Sequence, residues 1–163
     1  MASSSSNSNP PKETVYDVFM NFRGEDTRSG FTSYLYDALI QQGYKTFFDD
    51  ENLPRGKAIS KGLLKAIEDS RSSIVILSEN YAFSSWCLTE LAKIVDCMEN
   101  KGQIVLPIFY HVDPSHVRNQ RESYGKAFEK HESNSELNPM EVDSWKKALK
   151  GVANLGGWTL KKS

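Results

Sequence analysis

From Tyr16 onward, short apolar runs alternate with stretches of helical periodicity. Tyr16-Asp17-Val18-Phe19-Met20-Asn21 predicts a first strand. Phe31, Leu35, Ala38 and Leu39 recur at helical spacing and predict a helix, capped by Asp26 or Thr27 and terminated at Gly43. Tyr44-Lys45-Thr46-Phe47-Phe48 predicts a second strand, followed by a polar loop over residues 49–56. A short helix then turns Ile59, Leu63, Leu64 and Ile67 inward. The apolar run Ser73-Ile74-Val75-Ile76-Leu77-Ser78 predicts a third strand. A helix from about Ser84 carries Leu91, Ile94, Val95 and Met98 on its core-facing stripe. Residues 103–110 predict a fourth strand, in which Pro107 marks an irregularity. Asp113-Pro114-Ser115 opens a loop leading to a helix near residues 124–128. A last amphipathic helix spans about residues 140–155, with Trp145, Leu149 and Val152 inward.

Continuous apolar strands separated by helices indicate a parallel sheet covered on both faces. Right-handed crossovers then give a flavodoxin-like α/β fold, a three-layer sandwich with strand order 2-1-3-4 and a short fifth strand. Open sheets of this kind bind ligands where the order reverses, here at the carboxyl ends of strands one and three. The loop after strand one holds Phe22-Arg23-Gly24-Glu25-Asp26-Thr27-Arg28. The helix after strand three holds Trp86-Cys87-Leu88-Thr89-Glu90-Leu91. Trp86 and Glu90 are i and i+4 and share one helix face, so a carboxylate stands beside a large aromatic in that crevice. Such a pair suits a cationic or electron-poor ring.

Composition narrows the field. At 163 residues, 39% hydrophobic and 25% charged, the chain is sized for one domain with a sizeable core. We assign residues 14–158 to that domain, residues 1–13 to a disordered Ser/Asn/Pro-rich tail, and residues 159–163 to the start of a linker. A net charge of −1 supplies no general attraction to nucleic acid or to an anionic membrane. No apolar run approaches the roughly 20 residues that span a bilayer. Cys87 and Cys97 lie ten residues, or about 15 Å, apart along one helix and cannot bridge each other, which fits reduced thiols inside a cell.

Several chemistries are excluded. No GxGxxG turn follows any strand, and Arg55-Gly56-Lys57-Ala58 lacks both the leading Gly and the hydroxyl of a phosphate loop. Strand three ends in Leu77-Ser78, without the Asp of a phospho-acceptor. His111, His116 and His131 lack metal spacing with the cysteines and are expected at the surface, so no metal site is expected. Cys87 with a distant His is a nucleophile pair without local support. What remains is a crevice of Arg23, the amides around Gly24, Trp86 and Glu90. A helix starting after Gly24 offers its N-terminus to phosphate, and Arg23 offers a forked cation. Pairing of Arg23 with Glu25 or Asp26 is the alternative.

Tyr16-Asp17-Val18-Phe19, residues 22–28 and residues 86–91, together with Pro107-Ile108-Phe109-Tyr110-His111-Val112-Asp113-Pro114, resemble a Toll/interleukin-1 receptor (TIR) domain. The resemblance covers residues 16–158 and is to the plant form that opens intracellular disease-resistance receptors, which continue into nucleotide-binding and leucine-rich-repeat regions. It implies hydrolysis of NAD+ or NADP+ as substrate rather than cofactor, with Glu90 as catalytic glutamate. Phe22, Arg23, Gly24, Glu25, Asp26, Thr27, Gly56 and Trp86 fall at substrate-binding positions. Residues 49–57 correspond to a loop that gates the site and touches a neighbouring subunit. The family also self-associates, here through Ser33 and Tyr34 on the first helix and Lys147, Lys150 and Gly151 near the last. Ser33-Tyr34 replaces the Ser-His that many members carry. A cytoplasmic or nuclear location, no membrane and no nucleic-acid partner are expected. A non-catalytic TIR–TIR interaction module is the alternative function, and a nucleic-acid-directed synthetase activity involving Cys87 is a third.

Overall fold

The computed structural model describes residues 15–48 and 61–162. Gly56, Ile59 and the expected gating loop at residues 49–57 lie outside the described residues.

Tyr16–Asn21 forms β1, whose last four residues are all buried. Thr46–Phe48 (β2), Ser70–Leu77 (β3), Ile104–Tyr110 (β4) and Trp158–Leu160 (β5) complete one sheet in the order β2-β1-β3-β4-β5. Every pairing is parallel, with Val18 opposite Thr46, Met20 opposite Ile74, and Ile76 opposite Ile108. The order matches the expected 2-1-3-4, and the short fifth strand is present.

The helices are α1 (Gly24–Thr27), α2 (Ser33–Gln41), α3 (Lys61–Glu68), α4 (Ser85–Lys101), α5 (Pro114–Arg118), α6 (Ser123–Ser133) and α7 (Pro139–Ala153). Their ends follow local chemistry. Ser84 Oγ accepts from Cys87 N–H at 3.1 Å and caps α4, and Gly102 closes it at φ 70°. Asp113 and Asn138 cap α5 and α7, each followed by a Pro whose missing N–H costs the first turn nothing. Two hydrogen bonds from Ser115, its hydroxyl and its amide, hold the Asp113 carboxyl below the usual carboxylate range.

The sheet's two faces are covered differently. On one, α3, α4, α6 and α7 bury a large cluster that includes Phe19, Val75, Leu88, Leu91, Ile94, Trp145 and Leu149. On the other, Val18, Met20, Phe22, Ile74, Ile76 and Ile108 form a smaller cluster beneath Phe31, Leu35, Tyr36 and Leu39.

Four expectations need correction. The first helix starts at Gly24 rather than after Asp26 or Thr27, and neither residue caps it. The Asp26 carboxylate instead accepts from Ser78 Oγ at 2.6 Å and Asn80 N–H at 2.9 Å, across the crevice. The helix also breaks: residues 28–32 form a wide turn, with Gly30 at φ −135°, ψ −105°. His131 is buried, with its Nε2 donating to the Ala82 carbonyl at 2.7 Å and its ring set edge-on to Trp145. Burial is tolerable because the ring's polar atom is satisfied. Thr159 and Leu160, assigned to a linker, belong to the sheet, where Leu160 pairs with Tyr110. Pro107 does not interrupt β4; β5 simply begins one residue later, opposite Ile108.

Candidate active site

β1 delivers Asn21 and Phe22 to the carboxyl edge of the sheet, next to the end of β3. A one-turn 3-10 segment, Tyr81–Phe83, and the Ser84 cap then aim the first turns of α4 back at β1. Glu90 sits there, 4% exposed, between strand and helix. Its Oε1 accepts from Asn21 Nδ2 at 2.8 Å, and its Oε2 accepts from Trp86 Nε1 at 3.1 Å. Each carboxylate oxygen thus takes a neutral N–H donor. Two such bonds offset part of the cost of taking the carboxyl group out of water.

A second layer holds those donors. Tyr81, completely buried, donates its hydroxyl hydrogen bond to Asn21 Oδ1. Asn21 Nδ2 also donates to the Cys87 carbonyl at 3.3 Å. Cys87 Sγ donates to the Phe22 carbonyl at 3.3 Å, fastening the loop to the helix. Burial above all lifts the Tyr81 hydroxyl well above its ordinary range. Burial, then the charge of Glu90, pushes the Cys87 thiol far up as well. Cys87 is therefore a protonated hydrogen-bond donor, the opposite of the thiolate a nucleophile requires.

Arg23 stands half-buried at the mouth. Its guanidinium pairs with Asp26 Oδ1 at 2.8 Å and Glu25 Oε2 at 3.0 Å, so both carboxylates offered as alternatives to phosphate are engaged. The Glu25 side chain is 82% exposed, which keeps that pair weak, whereas the Asp26 side chain is only 12% exposed. Asp26 and Thr27 N–H groups already bond to the Arg23 carbonyl, so the helix N-terminus offers fewer amides than expected. The Thr27 hydroxyl faces inward and bonds to Thr32 at 2.6 Å. Phe22 is buried, with the Arg28 guanidinium 5.1 Å above its ring.

The structure thus gathers Phe22, Arg23, Gly24, Asp26, Trp86 and Glu90 at one edge, leaves Glu25 largely in solvent and turns Thr27 away. Sequence reasoning missed Asn21, Tyr81, Ser78, Asn80 and Arg28. The available signal for Asn21 was a polar side chain ending an otherwise apolar strand. Ser33, Tyr34, Lys147 and Lys150 are exposed, and Gly151 has open space beyond its Cα. The first two lie on α2 and the others on α7, on different sides of the molecule. Among the described residues, no cluster of three or more His, Cys, Asp or Glu could hold a metal ion, and no helix is long and apolar enough to cross a membrane. A cavity of about 780 Å³ opens at the opposite edge, beside Asp17, Tyr44, Glu68, Arg71 and Gln103, far from this chemistry.

Comparison with known proteins agrees with the architecture. The family model described as "TIR domain" matches residues 15–163. The chain is 55% identical over 159 residues to disease resistance protein RPV1 of Vitis rotundifolia, covering 98% of this chain and 11% of that protein. It is 54% identical over 157 residues to TMV resistance protein N of Nicotiana glutinosa, covering 96% of this chain and 13% of that one. It thus spans roughly a tenth of the length of these relatives. Among solved structures, the TIR domains of the activated Roq1 resistosome, described as directly recognizing the pathogen effector XopQ, align with a TM-score of 0.80 at 50% identity. That alignment covers 89% of this chain and 87% of the other. A metazoan TIR-STING receptor from C. gigas shares the fold at 16% identity, with a TM-score of 0.52 over 88% of this chain and 41% of that one. With a five-stranded parallel sheet in flavodoxin-like order and a family match running from Val15 to the last residue, the chain belongs to the TIR domain family.

Proposed function

We propose that this domain cleaves the nicotinamide–ribose bond of NAD+ or NADP+ when several copies assemble, and that it does so within a plant disease-resistance receptor. The observation that carries the reading is Glu90: a buried carboxylate, held on each oxygen by a neutral donor, at the switch point of the sheet and beside a half-buried Trp.

The chemistry follows from charge. Nicotinamide joined to ribose is a pyridinium; when the C–N bond breaks, both electrons go to the ring nitrogen and the ring leaves neutral, with no general acid. Positive charge moves to the ribose, as in glycoside hydrolysis. Glu90 stabilises that charge and accepts a hydrogen bond from a ribose hydroxyl. Water then adds to the anomeric carbon and releases one proton, giving ADP-ribose; attack by the adenine instead closes a cyclic product. Trp86 offers a face to one of the rings, while Arg23 and the amides near Gly24 take phosphate or ribose oxygens.

Assembly is the proposed switch. The 50% identical Roq1 TIR domains belong to an activated resistosome, and Ser33, Tyr34, Lys147 and Lys150 are exposed here. The test measures NAD+ loss and nicotinamide release by concentrated or crowded protein, wild type against Glu90→Ala. Turnover should fall by about 10³-fold in a folded mutant, the scale of removing one electrostatic stabiliser. Equal turnover in both would remove Glu90 from catalysis. No turnover by a wild type that demonstrably self-associates would favour the interaction module.

A further inference from the structure

We propose that Asn21 is a positioning residue for Glu90, with Tyr81 fixing which way the Asn21 amide points. The inference rests on the reading of Glu90 as the catalytic carboxylate.

Asn21 ends β1 with 0% exposure, where an unsatisfied amide would be costly. Its hydrogen bonds account for the burial, and their direction is informative. Were the amide turned over, its oxygen would face Glu90 Oε1, acceptor against acceptor. The carboxylate therefore selects the orientation with Nδ2 toward Oε1 at 2.8 Å. That leaves Oδ1 as an acceptor, and the Tyr81 hydroxyl, the donor beside it, takes it. A phenol that stays protonated far into the alkaline range keeps this arrangement at every physiological pH.

The two donors to Glu90 have different jobs. Trp86 lies on the same helix, four residues earlier, so its bond moves with α4. Asn21 lies on β1, directly before Phe22 and Arg23, so its bond sets the carboxylate against the loop that would hold the substrate. Displacing a catalytic group by about 1 Å can cost on the order of 10²-fold in rate with little change in binding. Both donors are neutral N–H groups, so neither adds a formal charge beside Glu90.

The experiment compares wild type, Asn21→Leu, Asn21→Ser, Tyr81→Phe and Glu90→Gln under one assembly condition, reading kcat, KM and the melting temperature. Asn21→Leu should lower kcat by about 10²-fold with KM nearly unchanged. Asn21→Ser, which keeps a donor, should recover part of kcat, and Tyr81→Phe should show a smaller loss in the same direction. If Asn21→Leu does not fold, Tyr81→Phe, which keeps the buried ring, carries the test. A folded Asn21→Leu or Tyr81→Phe with wild-type kcat and KM, alongside an inactive Glu90→Gln, overturns the positioning role while leaving the proposed reaction standing. Full activity in Glu90→Gln overturns the reaction mechanism, and the positioning role with it.

Discussion

The sheet's two faces divide stability from adaptability. Beneath α3, α4, α6 and α7, the side chains of Ile67, Leu88, Leu91, Ile94 and Leu149 are wholly excluded from water. Beneath α2, no helical side chain is fully buried, and Phe31, Leu35, Tyr36 and Leu39 are only partly buried. Trp158, opposite Ile108, stays 59% exposed and Tyr34 75%. Glu90 is mounted on the well-filled side, whereas Phe22 and the kinked α1–α2 segment belong to the thinner one. The lesson is that Glu90 and Trp86 are carried by the filled half, whereas Phe22, Arg23 and one of the two expected self-association surfaces, Ser33 and Tyr34, belong to the half that can adjust.

This contrast can be tested by deletion. Leu91→Ala on the filled face should cost about 4 kcal/mol in urea unfolding, because its tightly packed neighbours cannot close the void. Ile74→Ala on the thin face should cost about 2 kcal/mol, since its partly buried neighbours can settle into the space. Equal losses would break the comparison. Gly157→Ala tests the edge: an added Cβ would lie 2.3 Å from the Pro107 carbonyl oxygen, so β5 must shift, at about 2 kcal/mol.

Alkali should probe the filled face selectively. Burial raises the hydroxyls of both Tyr81 and Tyr124, which sit on that face. Folded-state values above the unfolded value mean that unfolding releases protons, so their contribution is intact below about pH 10 and lost as pH climbs beyond it. Each should remove about 1 kcal/mol by one pH unit past the unfolded value, read by denaturant titration at each pH. Phenolate absorbance from these two rings should appear only with unfolding. The smallest expected effect on stability is Tyr34→Ala, within about 0.5 kcal/mol, accompanied by weaker self-association in light scattering.

Strand order and helix positions were readable because the apolar runs of this sheet are continuous and its helices are striped. The features that escaped depend on partners distant in sequence. Asp26 looks like a helix cap until Ser78 and Asn80, more than fifty residues away, claim its carboxylate. His131 looks like a surface residue until Ala82 supplies a carbonyl. Trp86 and Glu90 were visible as a pair because i and i+4 is a local rule. Asn21 and Tyr81 were not, since nothing local ties a strand end to the start of a later helix. Residue type left Arg23 undecided between phosphate and its own neighbours; the structure has it paired with both neighbours.

The two thiols, finally, make the molecule its own stopwatch. Cys87 is clasped between loop and helix at the candidate site, and Cys97 is sealed near the other end of the same helix. Burial raises both thiols, so an alkylating reagent meets neither until the protein opens. Cys97 modification then times the loosening of the filled core, and Cys87 modification times any separation of β1 from α4. The ratio of the two rates, followed while substrate or neighbouring copies are added, reports whether the crevice breathes independently of the fold that carries it.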